Sequence, residues 1–210
     1  MTHRSAPDLL VLHAVRITGF ADTAAVARRF DLDETATAEA LLDAEAHGWV
    51  THTSFAGLGG WSLTARGRAA GERLLATELA EAGGLDEVHA VHDAFLPLNA
   101  RLQQACTDWQ LRPTADDRLA VNDHTDVAWD ARVHDELAAV ADGLAPLADR
   151  LARVLARFDG YHHRFTAALS RARAGEHGWV DRSDVDSCHR VWFELHEDLL
   201  ATLGRDRAAQ

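Results

Sequence analysis

The chain has 210 residues, 47% of them hydrophobic, and a formal charge of −12. That length supplies one or two folded cores, and the charge excludes a general nucleic-acid sponge, because phosphate neutralisation needs clustered cations. The two cysteines, Cys106 and Cys188, form no CxxC pair, so neither a zinc knuckle nor a disulfide framework is signalled. All 21 basic residues are Arg, most simply codon bias, and the N-terminal apolar run is too short for a signal peptide or membrane span. The expected location is cytoplasmic, with no membrane partner.

In chain order, "APDLLVLHAVRITGF" reads as an amphipathic helix with Leu9, Leu10, Leu12, Val15 and Ile17 inside, ended by Gly19. "ADTAAVARRF" gives a second helix, with Ala24, Ala25, Val26 and Phe30 inward. A third starts after an N-cap at Asp33 and stops at Gly48, with Ala38, Leu41, Leu42 and Ala46 as its inner face. Strands follow at Trp49–Thr53 and Trp61–Leu63, with "GLGG" as the turn, and then a helix capped by Thr64. "GGLDEV" reads as a hinge. Beyond it the chain looks wholly helical: one helix through Pro97, a polar stretch "PTADDRLAVNDHTD", one or two helices divided near Gly143 and Pro146, and two closing helices. The expected class is mainly α, a winged helix-turn-helix domain over 1–82 and an all-α domain over 86–204.

The stretch "GWV … GGWSLTARGR" resembles the MarR-like winged-helix family over about residues 8–80. Across the whole chain, "DLLVLHAVR", "FLPLN", "CTDWQLRP", "NDHTD" and "VWFELHEDLL" are similar to small actinobacterial winged-helix regulators with a C-terminal helical effector domain. The resemblance implies a one-component transcriptional regulator, expected as a homodimer, whose helical domain senses a ligand and whose winged helix meets DNA.

The third helix argues the other way. Residues 31–50 carry six acids (Asp31, Asp33, Glu34, Glu39, Asp43, Glu45) and no Arg, where groove-reading helices present polar or basic side chains. Acids at a helix start also have a plain explanation in the helix dipole. If DNA is bound, Arg28, Arg29 and Arg66 are the phosphate contacts and Thr35 and Thr37 the polar residues on the helix. Arg16, Arg68 and Arg73 are further cations of the same region. The rival is a module that does not bind DNA but docks a protein partner and regulates or assists an enzyme.

Chemistry could sit in the second domain. His189, Trp192 and His196 share one helix face at turn spacing, with Arg190, Glu194 and Asp198 opposite. Together with Asn122 and His124 from the polar stretch and Trp129 after it, they are expected to line one ligand cavity. The bland alternative is a core edge where each imidazole finds a single partner. Asp130 and His134 stand at i, i+4, and with His177 and His189 or His196 they resemble the metal site of the FCD branch of GntR regulators. An exposed Asp–His pair is the simpler account, and the metal stays open. Trp109 and Arg112 read as an anion clamp or as core. No catalytic signature is present: adjacent Cys188 and His189 point apart on a helix. A helical-bundle enzyme built on the histidines is a third reading, and the cofactor, like the metal, stays open.

Overall fold

A computed structural model describes residues 2–55 and 57–205. The element order is α1 (Pro7–Thr18), α2 (Thr23–Arg29), α3 (Glu34–Ala46), β1 (Val50–Phe55), β2 (Leu58–Leu63), α4 (Ala65–Ala82), α5 (Leu85–Gln110), α6 (Val127–Val154), α7 (Tyr161–Arg173) and α8 (Cys188–Thr202). Single 3-10 turns lie at Ala156–Phe158 and His177–Trp179. The protein is mainly helical with one two-stranded antiparallel hairpin between helices, compatible with a winged helix plus a helical domain. Among the described residues no helix is long and apolar enough to cross a membrane.

Local chemistry accounts for the element ends. The Asp22, Asp33 and Thr64 side chains each accept a backbone N–H in the first turn of α2, α3 and α4. Gly83 closes α4 in the left-handed conformation that glycine adopts without steric cost. The hairpin register pairs Val50 with Leu63 and His52 with Trp61. Of the stretch expected as a turn, Leu58, Gly59 and Gly60 are strand; Ala56, at the expected wing tip, lies outside the described residues. Gly60 leaves room for Phe20, because a Cβ there would sit 2.5 Å from the half-exposed ring and displace it. Gly67 has a similar role: a Cβ would come 1.8 Å from the Trp49 carbonyl oxygen. The glycine of "LTARGR" thus lets the first turn of α4 press onto the residue that precedes β1.

The inner face of α3 differs from the expected one. Leu41 and Ala44 are buried, while Leu42 is 59% exposed and Ala46 is exposed. Thr37, Leu41 and Ala44 follow the i, i+4, i+7 spacing of one helical stripe, and that stripe faces Val11, Val15, Val26 and Trp61. Both long helices are continuous: α5 runs through Pro97, and α6 through Gly143 and Pro146. At Gly143 the bare backbone admits Leu98, whose Cδ2 would lie 2.9 Å from an added Cβ.

The chain divides into two compact units. The hairpin unit comprises Met1–Leu85 with Arg153–Arg157 and His196–Gln210; the helical unit comprises Asp86–Ala152 with Phe158–Leu195. Whereas the sequence suggests separate blocks at 1–82 and 86–204, the hairpin unit takes up the end of α6 and the second half of α8. Backbone bonds tie the first of these in: His3 N–H donates to the Val154 carbonyl at 3.0 Å, and Ala156 N–H to the His3 carbonyl at 2.9 Å. Within the helical unit the core gathers around Trp192, stacked on Phe95 at 4.6 Å and edge-on to Phe165 at 5.8 Å.

Candidate functional site

The end of α5, the loop before α6 and the His177–Trp179 turn together form an open cleft of about 280 Å³ in the helical unit, lined by Trp109, Asn122, His124, His177 and Asp181 among others. The loop is held in place by backbone pairing: Asn122 N–H donates to the Gln110 carbonyl at 2.8 Å, and Leu111 bridges Val121. Asn122 is buried. Its amide donates to the Trp109 carbonyl at 3.0 Å and to Asp130 Oδ1 at 2.9 Å, which uses both of its N–H bonds.

His124 follows in a left-handed backbone conformation, φ 59°, uncommon for a side-chain-bearing residue. Its Nδ1 lies 3.0 Å and 3.2 Å from the two oxygens of Asp130. A carboxylate only accepts, so Nδ1 carries the proton that faces Asp130. The ring packs 4.3 Å from Trp109 and 4.8 Å from His177, while His134 approaches the same indole at 5.2 Å. Burial, helped by the Arg173 charge and opposed by Asp130, holds His134 below the usual imidazole range. Burial also pushes the Cys106 and Cys188 thiols up to about 12, so neither is a nucleophile at neutral pH.

Asn122 and His124 thus come together as expected, but the other predicted members do not join them. Trp129 lines a separate groove of about 320 Å³ between α5 and α6 with Arg101, Arg132 and Glu136. Its indole N–H donates to the Asp108 carbonyl at 2.6 Å. Trp192 is core, and its N–H reaches Asn99 Oδ1 at 2.9 Å, so that donor needs no ligand. His189 is exposed, and His196 is buried as a member of the hairpin unit. None of these three side chains is among the residues that line the cleft with Asn122 and His124. The supposedly outer face of α8 is instead buried: Glu194 is 2% exposed and Asp198 0%. Arg164 at 2.8 Å and Arg190 at 3.3 Å neutralise Glu194. Among the described residues no three His, Cys, Asp or Glu side chains are placed to hold one metal ion; Asp130 turns to Asn122 and His124 rather than chelating with His134. Arg112, the candidate anion clamp, is engaged by Asp126 at 3.3 Å and Asp123 at 3.7 Å.

The sequence offered no signal for a second polar cluster, which is buried in the hairpin unit. Arg157 donates from Nε to Glu78 Oε2 at 3.1 Å, from Nη2 to Thr202 Oγ1 at 2.8 Å, and from Nη1 to Asp198. His13 Nε2 lies 2.9 Å from the same Asp198 carboxylate. Burial would raise the Asp198 carboxyl, but Arg157 and His13 outweigh it and hold it well below the usual carboxylate range. For His13 burial wins over the attraction of Asp198, and its pKa is lowered.

The candidate DNA residues are also redistributed. Thr37 is 1% exposed and donates its hydroxyl to the Asp33 carbonyl, so it presents nothing to a base edge. Arg29 turns inward, its Nη2 buried and its charge felt by His13 and Asp198. Arg16 is taken by Glu72 and Glu197, each at 3.0 Å. Arg28, Thr35 and Arg66 remain exposed. Comparison of the chain with family models, curated proteins and solved structures returns no match.

Proposed function

We propose that the chain is a one-component regulator, in which the helical unit senses a small ligand and the hairpin unit, read as a winged helix, delivers the output. The observation that carries this reading is His124: an imidazole in a left-handed backbone conformation, its tautomer fixed by Asp130, at the wall of an open cleft. Strained residues with an oriented polar atom concentrate at binding sites. A thermal-shift screen with amines, amino acids, carboxylic acids and nucleosides tests it, run on the wild type and on His124→Asn, a change that tolerates positive φ. Sensing requires a compound that raises the Tm of the wild type and not of the variant. A screen without such a compound removes the reading.

For the output, the exposed acids of α3 favour docking on a basic protein surface. Contact with DNA, as a regulator of transcription and a homodimer, is the second reading, favoured by the exposure of Arg28 and Arg66. Inverting Glu39 and Asp43 together to Arg separates the two by sign. Both are exposed on α3. DNA affinity would rise with a steeper salt dependence, whereas affinity for a basic protein would fall.

A further inference from the structure

We propose that the ligand taken by the cleft is a small organic cation, a protonated primary amine carried on an apolar body. This assignment rests on the sensing reading above and concerns the chemistry of the same cleft. The lining presents acceptors. Because Asp130 accepts the hydrogen bond from Nδ1 of His124, Nε2 is the ring's remaining polar atom. Asp181 is oriented by the Gln110 amide, which donates to Oδ2 at 2.8 Å; its Oδ1 has no hydrogen-bond partner among the described residues. An ammonium group brings three donors and no acceptor, the complement of that open carboxylate oxygen.

The charge points the same way. No Arg lines the cleft. The neighbouring guanidiniums are already engaged, Arg112 by Asp126 and Arg182 by Asp184. An anion entering here would meet the Asp181 carboxylate directly and the Asp130 carboxylate behind His124, with no Arg in the lining to offset either. A cation meets attraction from both. Val121, which is 79% exposed, forms part of the wall and supplies apolar surface for the rest of the ligand.

Isothermal titration calorimetry on the full chain at neutral pH tests the assignment, with 2-phenylethylamine, 2-phenylethanol and 3-phenylpropionate as probes of similar shape and different charge. Only the amine should bind saturably. Asp181→Asn and His124→Asn should each weaken it by about tenfold or more, the scale of a lost hydrogen bond to a charged group. Arg132→Ala, in the separate α5–α6 groove, should leave it unchanged. Saturable binding of the propionate that His124→Asn abolishes overturns the cation and leaves the sensing reading standing. Amine binding that survives Asp181→Asn, or no saturable amine binding at millimolar concentration, also overturns it. The sensing reading itself falls only with the thermal-shift screen.

Discussion

Replacing Arg157 by Met removes a guanidinium that serves two buried carboxylates. The Arg157 side chain is 1% exposed, against 4% for Glu78 and 0% for Asp198. Met fills much of the aliphatic volume but donates nothing, so both acids are left in a low-dielectric setting with their main cation gone. Breaking a buried pair from one side costs about 3–5 kcal/mol, and two stranded acids place this case at the upper end. Against a typical total stability of about 5–15 kcal/mol, the loss is a third or more. Guanidinium denaturation followed by far-UV circular dichroism at neutral pH reads it. The pH dependence gives a second, independent reading. In the wild type Asp198 is held below its unfolded value, so its contribution is present above that value and lost as pH falls through the folded pKa. In Arg157→Met burial acts with less opposition and raises the carboxyl, so the variant's deficit should shrink on acidification. A loss below about 1 kcal/mol, the range of exposed ion pairs, or parallel pH profiles for both proteins, would refute the reasoning.

Three further outcomes follow from the same structure. Gly67→Ala should destabilise the protein by about 3 kcal/mol, measured by thermal unfolding, because the added Cβ overlaps the Trp49 carbonyl. His13 should make stability fall as pH drops below its ordinary 6.5: its folded pKa is lower, so the unfolded chain takes the proton first, and His13→Leu should flatten the slope between pH 6.5 and the lower folded value. A fragment ending at Leu85 should show no dispersed amide spectrum by NMR, since it keeps buried His13 and Glu78 but lacks Arg157 and Asp198; a folded fragment would show that the hairpin unit does not need its C-terminal pieces.

Most of the element order was legible because it depends on local signals. Asp33 and Thr64 cap where their side chains predict, and Gly19 and Gly83 end helices for backbone reasons. The face of α8 was misread for a physical cause. Periodicity assigns charged residues outward, and this holds only while each charge lacks a partner from elsewhere in the chain. Arg164 and Arg157, distant in sequence, supply those partners and reverse the face. The candidate site was half legible. Asn122 and His124 stand out as the ends of the polar run "NDH" in a loop, and two-residue spacing is short enough to keep them together. Trp129 and Trp192 could not be placed from spacing, because the acceptors of their indole N–H groups, the Asp108 carbonyl and Asn99, lie 21 and 93 residues away.

The acids of α3 bear on the output whatever put them there. Asp33 caps Ala36, Glu34 sits in the first turn, where the helix dipole favours it, and Glu45 accepts the His52 N–H at 3.2 Å. Helix capping, the helix dipole and a bond to β1 therefore account for three of the six, leaving Asp31, Glu39 and Asp43. A phosphate backbone responds to the charge at the surface and not to the reason for it. A helix lying in the major groove brings its side chains within about 10 Å of phosphates, roughly one Debye length at 0.1 M salt, so screening leaves much of the repulsion in place. Compensation would have to come from neighbouring cations. Arg16 is spent on Glu72 and Glu197, Arg29 faces inward, and Arg68 approaches Glu197 at 3.6 Å. Arg28, Arg66 and Arg73 are exposed on α2 and α4, off the helix that would have to enter the groove. Backbone contacts from those positions remain open to DNA, but a groove contact through α3 works against its own charge, and a basic protein surface does not.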